Sequence, residues 1–260
     1  MKAIWKGFIA GIVLIVIGAG IIIATLAVNG WSVKEVNYTM ETYKAQNDNN
    51  SIELDMGAYS LKTEFYDGDK IEITYPVSSG WRTSIKEKDG KLKFETKTKW
   101  YFTLFKINKP PETVIKLPKD KVVDIKIDLG AGTVKLASGV YGNIDLDVSA
   151  GTLSTSGITC NKLDCDVSAG TLKIDGINCN NLICDVSAGK LSLNDVTCPD
   201  IKADVSAGTV IIGVNGAKND YTIRASVSAG SCNVSNQTGA TDKKLYVSCS
   251  AGSVKVNFSD

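Results

Sequence analysis

Aspartates at a fixed spacing are the most conspicuous candidates for chemistry in this sequence. Asp147, Asp166, Asp185 and Asp204 each open an Asp-Val-Ser-Ala-Gly segment, and consecutive segments start 19 residues apart. If equivalent residues stack on neighbouring strands about 4.8 Å apart, these carboxylates form a column whose oxygens could hold divalent cations. The alternative is a structural column whose carboxylates accept hydrogen bonds from nearby serines or from backbone amides at the corner that the Ser-Ala-Gly residues would form. The sequence leaves both the cation ladder and the structural column open.

Seven cysteines form a second group with possible chemistry. Cys160, Cys179 and Cys198 follow the same 19-residue step, as do Cys165 and Cys184, and both sets occupy apolar positions of the repeat. We therefore expect small, buried, free thiols. A strained disulfide and a metal site are alternatives, but stacked parallel neighbours miss the Cβ separation of about 3.8 Å that a disulfide prefers.

Histidine is absent from the chain. This absence excludes Ser-His-Asp and Cys-His catalysis and any zinc or iron site that needs histidine. Carboxylate pairs and Ser-Lys arrangements remain chemically possible, but no motif supports them. The formal net charge is +1, so no global field attracts nucleic acid. We expect no enzyme, no catalytic residue, no cofactor and no nucleic-acid partner.

A basic aromatic segment stands apart from the repeat. Between residues 82 and 121 the chain carries twelve Lys or Arg residues against five Asp or Glu residues. Lysines interspersed with bulky aromatic side chains suit contact with a membrane interface or an anionic polymer. The residues concerned are Lys97, Lys99, Trp100, Tyr101, Phe102, Phe105 and Lys106. A strand of a capping coil with its lysines in water explains the same pattern.

The N-terminal residues predict a membrane anchor. The 22 residues from Gly7 to Val28 carry no charge, which is enough for a helix to span a bilayer, and we place the transmembrane helix at 7–29. Lys2 and Lys6 precede it, so the positive-inside rule predicts a single-pass protein of the cell membrane. Residues 1–6 would be cytoplasmic and the remainder extracellular. A cleaved signal peptide is the alternative, although its apolar region usually has about 7–15 residues.

Internal repetition indicates the fold that must position these groups. The repeat extends one step back to Asp128, with looser copies starting at Ser226 and Ser248 and a faint one at Asp55. Fixed periods of this kind mark stacked architectures. Within each unit apolar and polar residues alternate, as in half-buried strands. We predict an all-β, single-stranded β-helix, a β-solenoid of 19-residue coils, with right-handed winding favoured.

The chain therefore divides into regions of different regularity. A linker at 30–37 would lead to irregular N-terminal coils that cap the solenoid at 38–121, and the regular repeats would fill 122–260. Terminal coils are expected to be atypical because they must protect open strand edges. The glycine of each Ser-Ala-Gly corner is expected to adopt backbone angles that other residues avoid.

The order of these features resembles a known family. An N-terminal anchor, a segment ending Thr-Val-Ile-Lys-Leu-Pro-Lys-Asp at residues 113–120, and a run of Asp-x-(Ser/Gly)-Ala-Gly units are similar to bacterial adhesin-like domains of unknown function. These domains are common in Gram-positive bacteria and are similar to an accessory protein of envelope-stress operons. The resemblance covers roughly 38–260. It implies a membrane-anchored β-helical surface domain and supplies no catalytic residues.

Taken together, the sequence favours a non-enzymatic cell-surface protein. Its flat faces would contact a cell-wall polymer, a membrane protein partner or an external surface, without a concave pocket. The alternative is an accessory sensor or regulatory partner in a cell-envelope stress response. A polysaccharide-cleaving enzyme is a third class, but uniform repeats are not expected to form the groove that it needs. The sequence leaves the oligomeric state open.

Overall fold

The computed structural model describes residues 36–78, 81–98 and 110–259. The alternation of apolar and polar residues produces strands, because every second side chain turns inward: Leu163, Cys165 and Val167 are fully buried while Asp164 and Asp166 lie on the outer side. The elements of the described residues are β1 (Thr39–Lys44), β2 (Ser51–Tyr66), β3 (Glu72–Val77), β4 (Trp81–Lys88), β5 (Lys91–Thr98), β6 (Thr113–Pro118), β7 (Asp124–Leu136), β8 (Gly139–Val140), β9 (Asn143–Val148), β10 (Thr152–Val167), β11 (Thr171–Val186), β12 (Lys190–Thr197), β13 (Asp200–Val205), β14 (Thr209–Asn215), a 3-10 turn (Lys218–Asp220), β15 (Tyr221–Val227), β16 (Ser231–Cys232), β17 (Lys243–Cys249) and β18 (Ser253–Ser259).

Each regular coil contains three strand segments separated by bends. In β10 these segments are residues 152–156, 158–160 and 162–167, and each pairs in parallel with residues of β11 that lie 19 positions further on. The same step joins β11 to β12 and β13. The all-β prediction is confirmed, and the large, mostly parallel sheet has the stacking expected of a solenoid. The right-handed winding stays a prediction.

The Ser-Ala-Gly corner continues the hydrogen-bond ladder from coil to coil. The amide of Ala188 donates to the carbonyl oxygen of Ser168 at 2.7 Å, and the amide of Lys190 donates to that of Gly170 at 2.9 Å. The expected positive φ angle of the corner glycine is found at Gly132 (φ 118°), but it is wrong for Gly170 and Gly189 of the later coils. Their role is to allow close approach of the stacked backbones. Positive φ occurs at the second bend instead, for example at Gly176 (φ 76°).

The two ends of the stack do not follow chain order. At the C-terminal end β17 pairs with β13 on one side and with β15 on the other, and β18 likewise lies between β14 and β16. The last coil of the chain, formed by β17 and β18, therefore stacks between the coil of β13 and β14 and the coil of β15 and β16. The coil of β15 and β16 precedes it in sequence but lies outside it in the stack. At the N-terminal end β2 pairs with β7 on one side and with β5 and β6 on the other. At each end, the outermost strand of the regular stack is therefore paired with a further segment of the chain.

Antiparallel pairs close the N-terminal end. β4 and β5 form a hairpin whose turn residues, Asp89 (φ 51°) and Gly90 (φ 73°), both have positive φ, as a tight two-residue turn requires. β3 pairs antiparallel with both β1 and β6. These antiparallel pairs differ from the parallel coils that follow them, and the assignment of residues 38–121 as a cap stays a prediction.

The core consists of columns of identical or similar apolar side chains. Val148, Val167, Val186 and Val205 form one column, and all four are at most 3% exposed. Each buried side chain of this size stabilises the fold by about 1.5–3 kcal/mol relative to exposure. The expected burial of the cysteines is confirmed for six of them, and the seventh, Cys232, is only partly buried.

Among the residues that the structure describes, no helix is long and apolar enough to cross a membrane. The predicted transmembrane helix at 7–29 and the predicted cytoplasmic residues 1–6 lie outside them.

Candidate functional site

The basic aromatic segment lies almost wholly outside the described residues. Lys97 is exposed on β5, where Arg82 of β4 is its antiparallel partner. The other six predicted contact residues are not among those described: Lys99, Trp100, Tyr101, Phe102, Phe105 and Lys106. Their role in surface contact stays a prediction.

The predicted aspartate column exists and is longer than the four residues that define it. Asp147, Asp166, Asp185 and Asp204 stand in register on consecutive strands. The column continues through Asp128 in the other direction. Burial, followed by the neighbouring carboxylates, raises the pKa of Asp147 and of Asp185 above the ordinary aspartate value. Stacking therefore brings like charges close together along one outer face, where they repel one another.

Lysines on the same face compensate part of this charge. The ammonium groups of Lys126, Lys162 and Lys202 lie 2.5–2.8 Å from aspartate carboxylates of the face. The expected hydrogen bonds from corner serines and amides to the aspartates of the column are not found among the described residues. Those residues also contain no group of three or more acidic or thiol side chains arranged to hold a metal ion. An extended cation ladder along the column stays a prediction.

The insertion of β17 creates a different surface at the C-terminal end of this face. Tyr246 of β17 lies between Lys202 of β13 and Arg224 of β15 in the parallel register. The neighbouring outward column, two residues further along each strand, contains Asp204 of β13, Ser248 of β17 and Ser226 of β15. Small hydroxyl side chains thus replace the carboxylates of the preceding coils, and the surface becomes concave beside the tyrosine ring.

The loop that follows β16 completes this concavity. The side-chain oxygen of Asn236 accepts a hydrogen bond from the amide of Ala225 at 2.6 Å. Gln237 and Ile223 exchange two backbone hydrogen bonds of 3.0 and 3.1 Å. One guanidinium nitrogen of Arg224 donates to the carbonyl oxygens of Ile223 and Gln237 at 3.2 and 3.1 Å. The arginine is therefore held in one orientation against the edge strand.

We name this concavity the C-terminal groove. Its volume is about 280 Å³, and it is open to solvent on one side. Its lining residues are Asp204, Arg224, Ala225, Ser226, Asn236, Tyr246, Val247 and Ser248. It offers hydroxyl, amide, carboxylate and guanidinium groups beside an exposed aromatic ring, which suits non-covalent recognition.

This groove was not predicted from the sequence, from which we expected no concave pocket. Two signals were present in the sequence. The repeats that begin at Ser226 and Ser248 lack the aspartate of the preceding copies, and Tyr246 occupies an outward position between the buried Leu245 and Val247. Only the exchanged strand order brings Arg224 next to that tyrosine.

The stacked coils, their buried columns and their polar outer face define a class of protein, the β-solenoids. Within this class the chain belongs to the Toastrack DUF4097 family, whose sequence pattern matches residues 49–260. No curated protein matches the chain in sequence.

Solved structures are similar to this chain at low sequence identity. A candidate lipid-binding protein from Parabacteroides distasonis is 15% identical with a TM-score of 0.52, and the match covers 86% of this chain and 98% of that one. A candidate adhesin from Parabacteroides merdae is also 15% identical with a TM-score of 0.48, covering 85% and 93% of the two chains. The first of these likenesses supports the fold assignment.

Proposed function

We propose that this chain is a non-enzymatic cell-surface β-solenoid module that contacts a component of the cell envelope or an external surface. The observation that carries the proposal is the outer face formed by β7, β9, β10, β11 and β13, where charged side chains repeat in register on consecutive parallel strands. Such a face is rigid because every strand is bonded on both sides. A rigid, periodic, polar face suits contact with an extended polymer.

A single transmembrane helix at 7–29 would anchor the module, with the solenoid outside the cell. Lys2 and Lys6 on the N-terminal side and the uncharged run that follows support this topology. The chemistry of the described residues supports a binding role, since their side chains provide periodic hydrogen-bonding groups and no histidine for catalysis.

Co-sedimentation of the full chain tests the proposal. The full chain, held in detergent-free nanodiscs of zwitterionic lipid, is spun with purified cell walls and, separately, with anionic liposomes, at low and moderate salt. The liposome arm is included because a relative of the same fold is described as a candidate lipid-binding protein. A triple variant, Lys97→Gln, Lys99→Gln and Lys106→Gln, runs beside the wild type, because removal of three cations weakens contact with an anionic surface.

The expected result is salt-sensitive pelleting with walls that the triple variant reduces. Pelleting with walls that the variant retains would support surface contact through the solenoid face instead. No pelleting with either material would overturn the proposal. Co-purification with a membrane protein would then favour the alternative, an accessory sensor or regulatory partner in an envelope stress response.

A further inference from the structure

We propose that the C-terminal groove binds one acidic sugar residue of a polysaccharide, through stacking on Tyr246 and a carboxylate contact with Arg224. The inference deepens the proposed function and rests on it, because it names the chemical class of polymer that the surface module would contact.

The aromatic ring supplies the platform for the sugar. Tyr246 is 42% exposed, whereas Leu245 and Val247 on either side of it are buried. Among the described residues, no cation lies over its ring. An exposed aromatic face with a polar edge binds ligands that are themselves apolar on one side and polar on the other. A sugar ring has this character, with C–H groups on its faces and hydroxyl groups around its rim.

The charge of the groove selects an acidic sugar. Asp204 is already paired with Lys202 at 2.5 Å, so its carboxylate is compensated. Arg224 has no carboxylate partner among the described residues, and the groove therefore carries one uncompensated positive charge. Because the two carbonyl contacts of Arg224 involve only Nη1, the Nη2 and Nε groups remain available. Their fork geometry matches a carboxylate that binds through both oxygens.

Neutral polar groups match the hydroxyl groups of the sugar. The hydroxyls of Ser226 and Ser248 and the amide nitrogen of Asn236 make no hydrogen bond to another described residue. A simple carboxylate would leave these groups without partners, whereas a polyhydroxylated ring can use them. The volume of about 280 Å³ lies just below the range usual for drug-sized ligands, and the open side allows a polymer to continue beyond the bound residue.

Calorimetric titration of the full chain in detergent tests this inference. The probes are a hyaluronan tetrasaccharide, which carries uronic acid residues, and chitotetraose, a neutral chain of similar length. We expect a dissociation constant of about 1 mM or tighter for the acidic probe. Binding of the neutral probe should be at least about tenfold weaker, because it lacks the charge-assisted contact.

Variants separate the groove from the rest of the surface. Tyr246→Ala and Arg224→Gln should each weaken binding of the acidic probe about tenfold or more, and Arg224→Lys should weaken it less than Arg224→Gln. Lys255→Gln, which removes an exposed cation of β18 outside the groove, is the matched control and should leave binding unchanged. Circular dichroism and thermal unfolding verify that each variant is folded.

Several results would overturn the inference. These are absence of binding at millimolar concentration, equal affinity for the two probes, unchanged affinity in Arg224→Gln, or displacement of the probe by an equal concentration of inorganic phosphate. Co-sedimentation of Tyr246→Ala with cell walls distinguishes failure of the sugar-site inference from failure of the proposed surface function. Undiminished pelleting of that variant, together with absent probe binding, leaves the surface role standing and removes only the sugar site.

Discussion

Gly189 lies so close to Gly170 of the preceding coil that a Cβ atom at position 189 would stand 2.6 Å from the Gly170 carbonyl oxygen. It would also press on a methyl group of Val167. The obstructing oxygen belongs to the backbone and accepts a ladder hydrogen bond from Lys190, so it cannot move without loss of that bond. Close stacking, rather than an unusual backbone angle, therefore requires glycine at this corner.

Gly189→Ala should consequently destabilise the solenoid by about 1–3 kcal/mol, the usual cost of forcing extra atoms into a packed region. Gly213→Ala is the matched control, since a Cβ there would meet no atom closer than 3.6 Å and the φ angle is not positive. That control should be neutral or slightly stabilising. Chemical denaturation measures both. Equal stability of the two variants would contradict the close-approach explanation.

The end of the valine column should be energetically different from its middle. Val227 occupies the same column as Val186 but is 42% exposed, because no coil of the described residues covers it, whereas Val186 is 3% exposed. Val186→Ala should cost about 2 kcal/mol of unfolding free energy through lost burial and a residual cavity. Val227→Ala should cost less than about 0.5 kcal/mol. A comparable loss in the two variants would indicate that position 227 is covered in solution.

Glu87 of β4 connects residues 43–49, which precede β2, to the hairpin of β4 and β5 through hydrogen bonds. Its carboxylate accepts hydrogen bonds from the Tyr43 hydroxyl at 2.6 Å and from the Gln46 amide, the Asn47 amide and the Asn49 side chain at 2.8 Å each. Partial burial by itself raises the pKa of Glu87, but the hydrogen bonds prevail and lower the pKa to about 2. The ionised carboxylate is therefore favoured in the folded state.

Glu87→Gln should lower the unfolding free energy at pH 7 by about 1–2 kcal/mol, after allowance for solvent screening. Because the folded-state pKa is depressed, the contribution of Glu87 is complete above the unfolded pKa of about 4.3. It is lost as the pH falls from there towards 2. Wild type and variant should thus converge in denaturation experiments near pH 2. Glu64→Gln, which removes a carboxylate of a more exposed ion pair, is the control and should change stability by less than about 0.5 kcal/mol.

The aspartate column should be electrostatically unfavourable at neutral pH. Burial and neighbouring carboxylates, including Asp166, raise the pKa of Asp147 and Asp185. A raised carboxyl pKa in the folded state means that stability is gained as the pH falls through that pKa and is lost above it. Asp166→Asn should therefore raise the unfolding free energy at pH 7 by a few tenths to about 1 kcal/mol, and should have little effect near pH 3.

Calcium distinguishes the two interpretations of this column. If the column is only structural, millimolar Ca²⁺ should not change the stability difference between wild type and Asp166→Asn. If it is a cation ladder, Ca²⁺ should stabilise the wild type more than the variant. The exposed Asp242→Asn serves as the control for general charge effects.

The cysteines should differ sharply in reactivity. Six thiols are buried, and Cys232 at the exposed C-terminal end is partly accessible. A thiol reagent should therefore modify one cysteine rapidly in the folded protein and the other six only on unfolding. Cys232→Ser should abolish the rapid phase. A rapid phase that persists in this variant would show that a core column opens in the native state.

Much of this architecture could be predicted from the amino-acid sequence alone. The alternation of Leu163, Cys165 and Val167 with aspartates determines which side chains face inward, because the strand period of two is local. The 19-residue step determines which residues form a column, because parallel coils of equal length stack in register. The aspartate column and the burial of the cysteines at apolar positions follow from these two rules.

The order of the coils at the ends was decided only by tertiary structure. The repeats that begin at Ser226 and Ser248 fit equally well, by pattern, onto the coil of Asp204, and their chain order is the reverse of their stacking order. Tyr221 reaches past the inserted coil to donate to the carbonyl oxygen of Cys198 at 2.8 Å, and its ring packs against Phe258 at 5.6 Å. Such contacts join residues far apart in the chain, and no local period encodes them. The groove beside Tyr246 exists because long-range packing at an open edge, rather than the repeat, selects its neighbours.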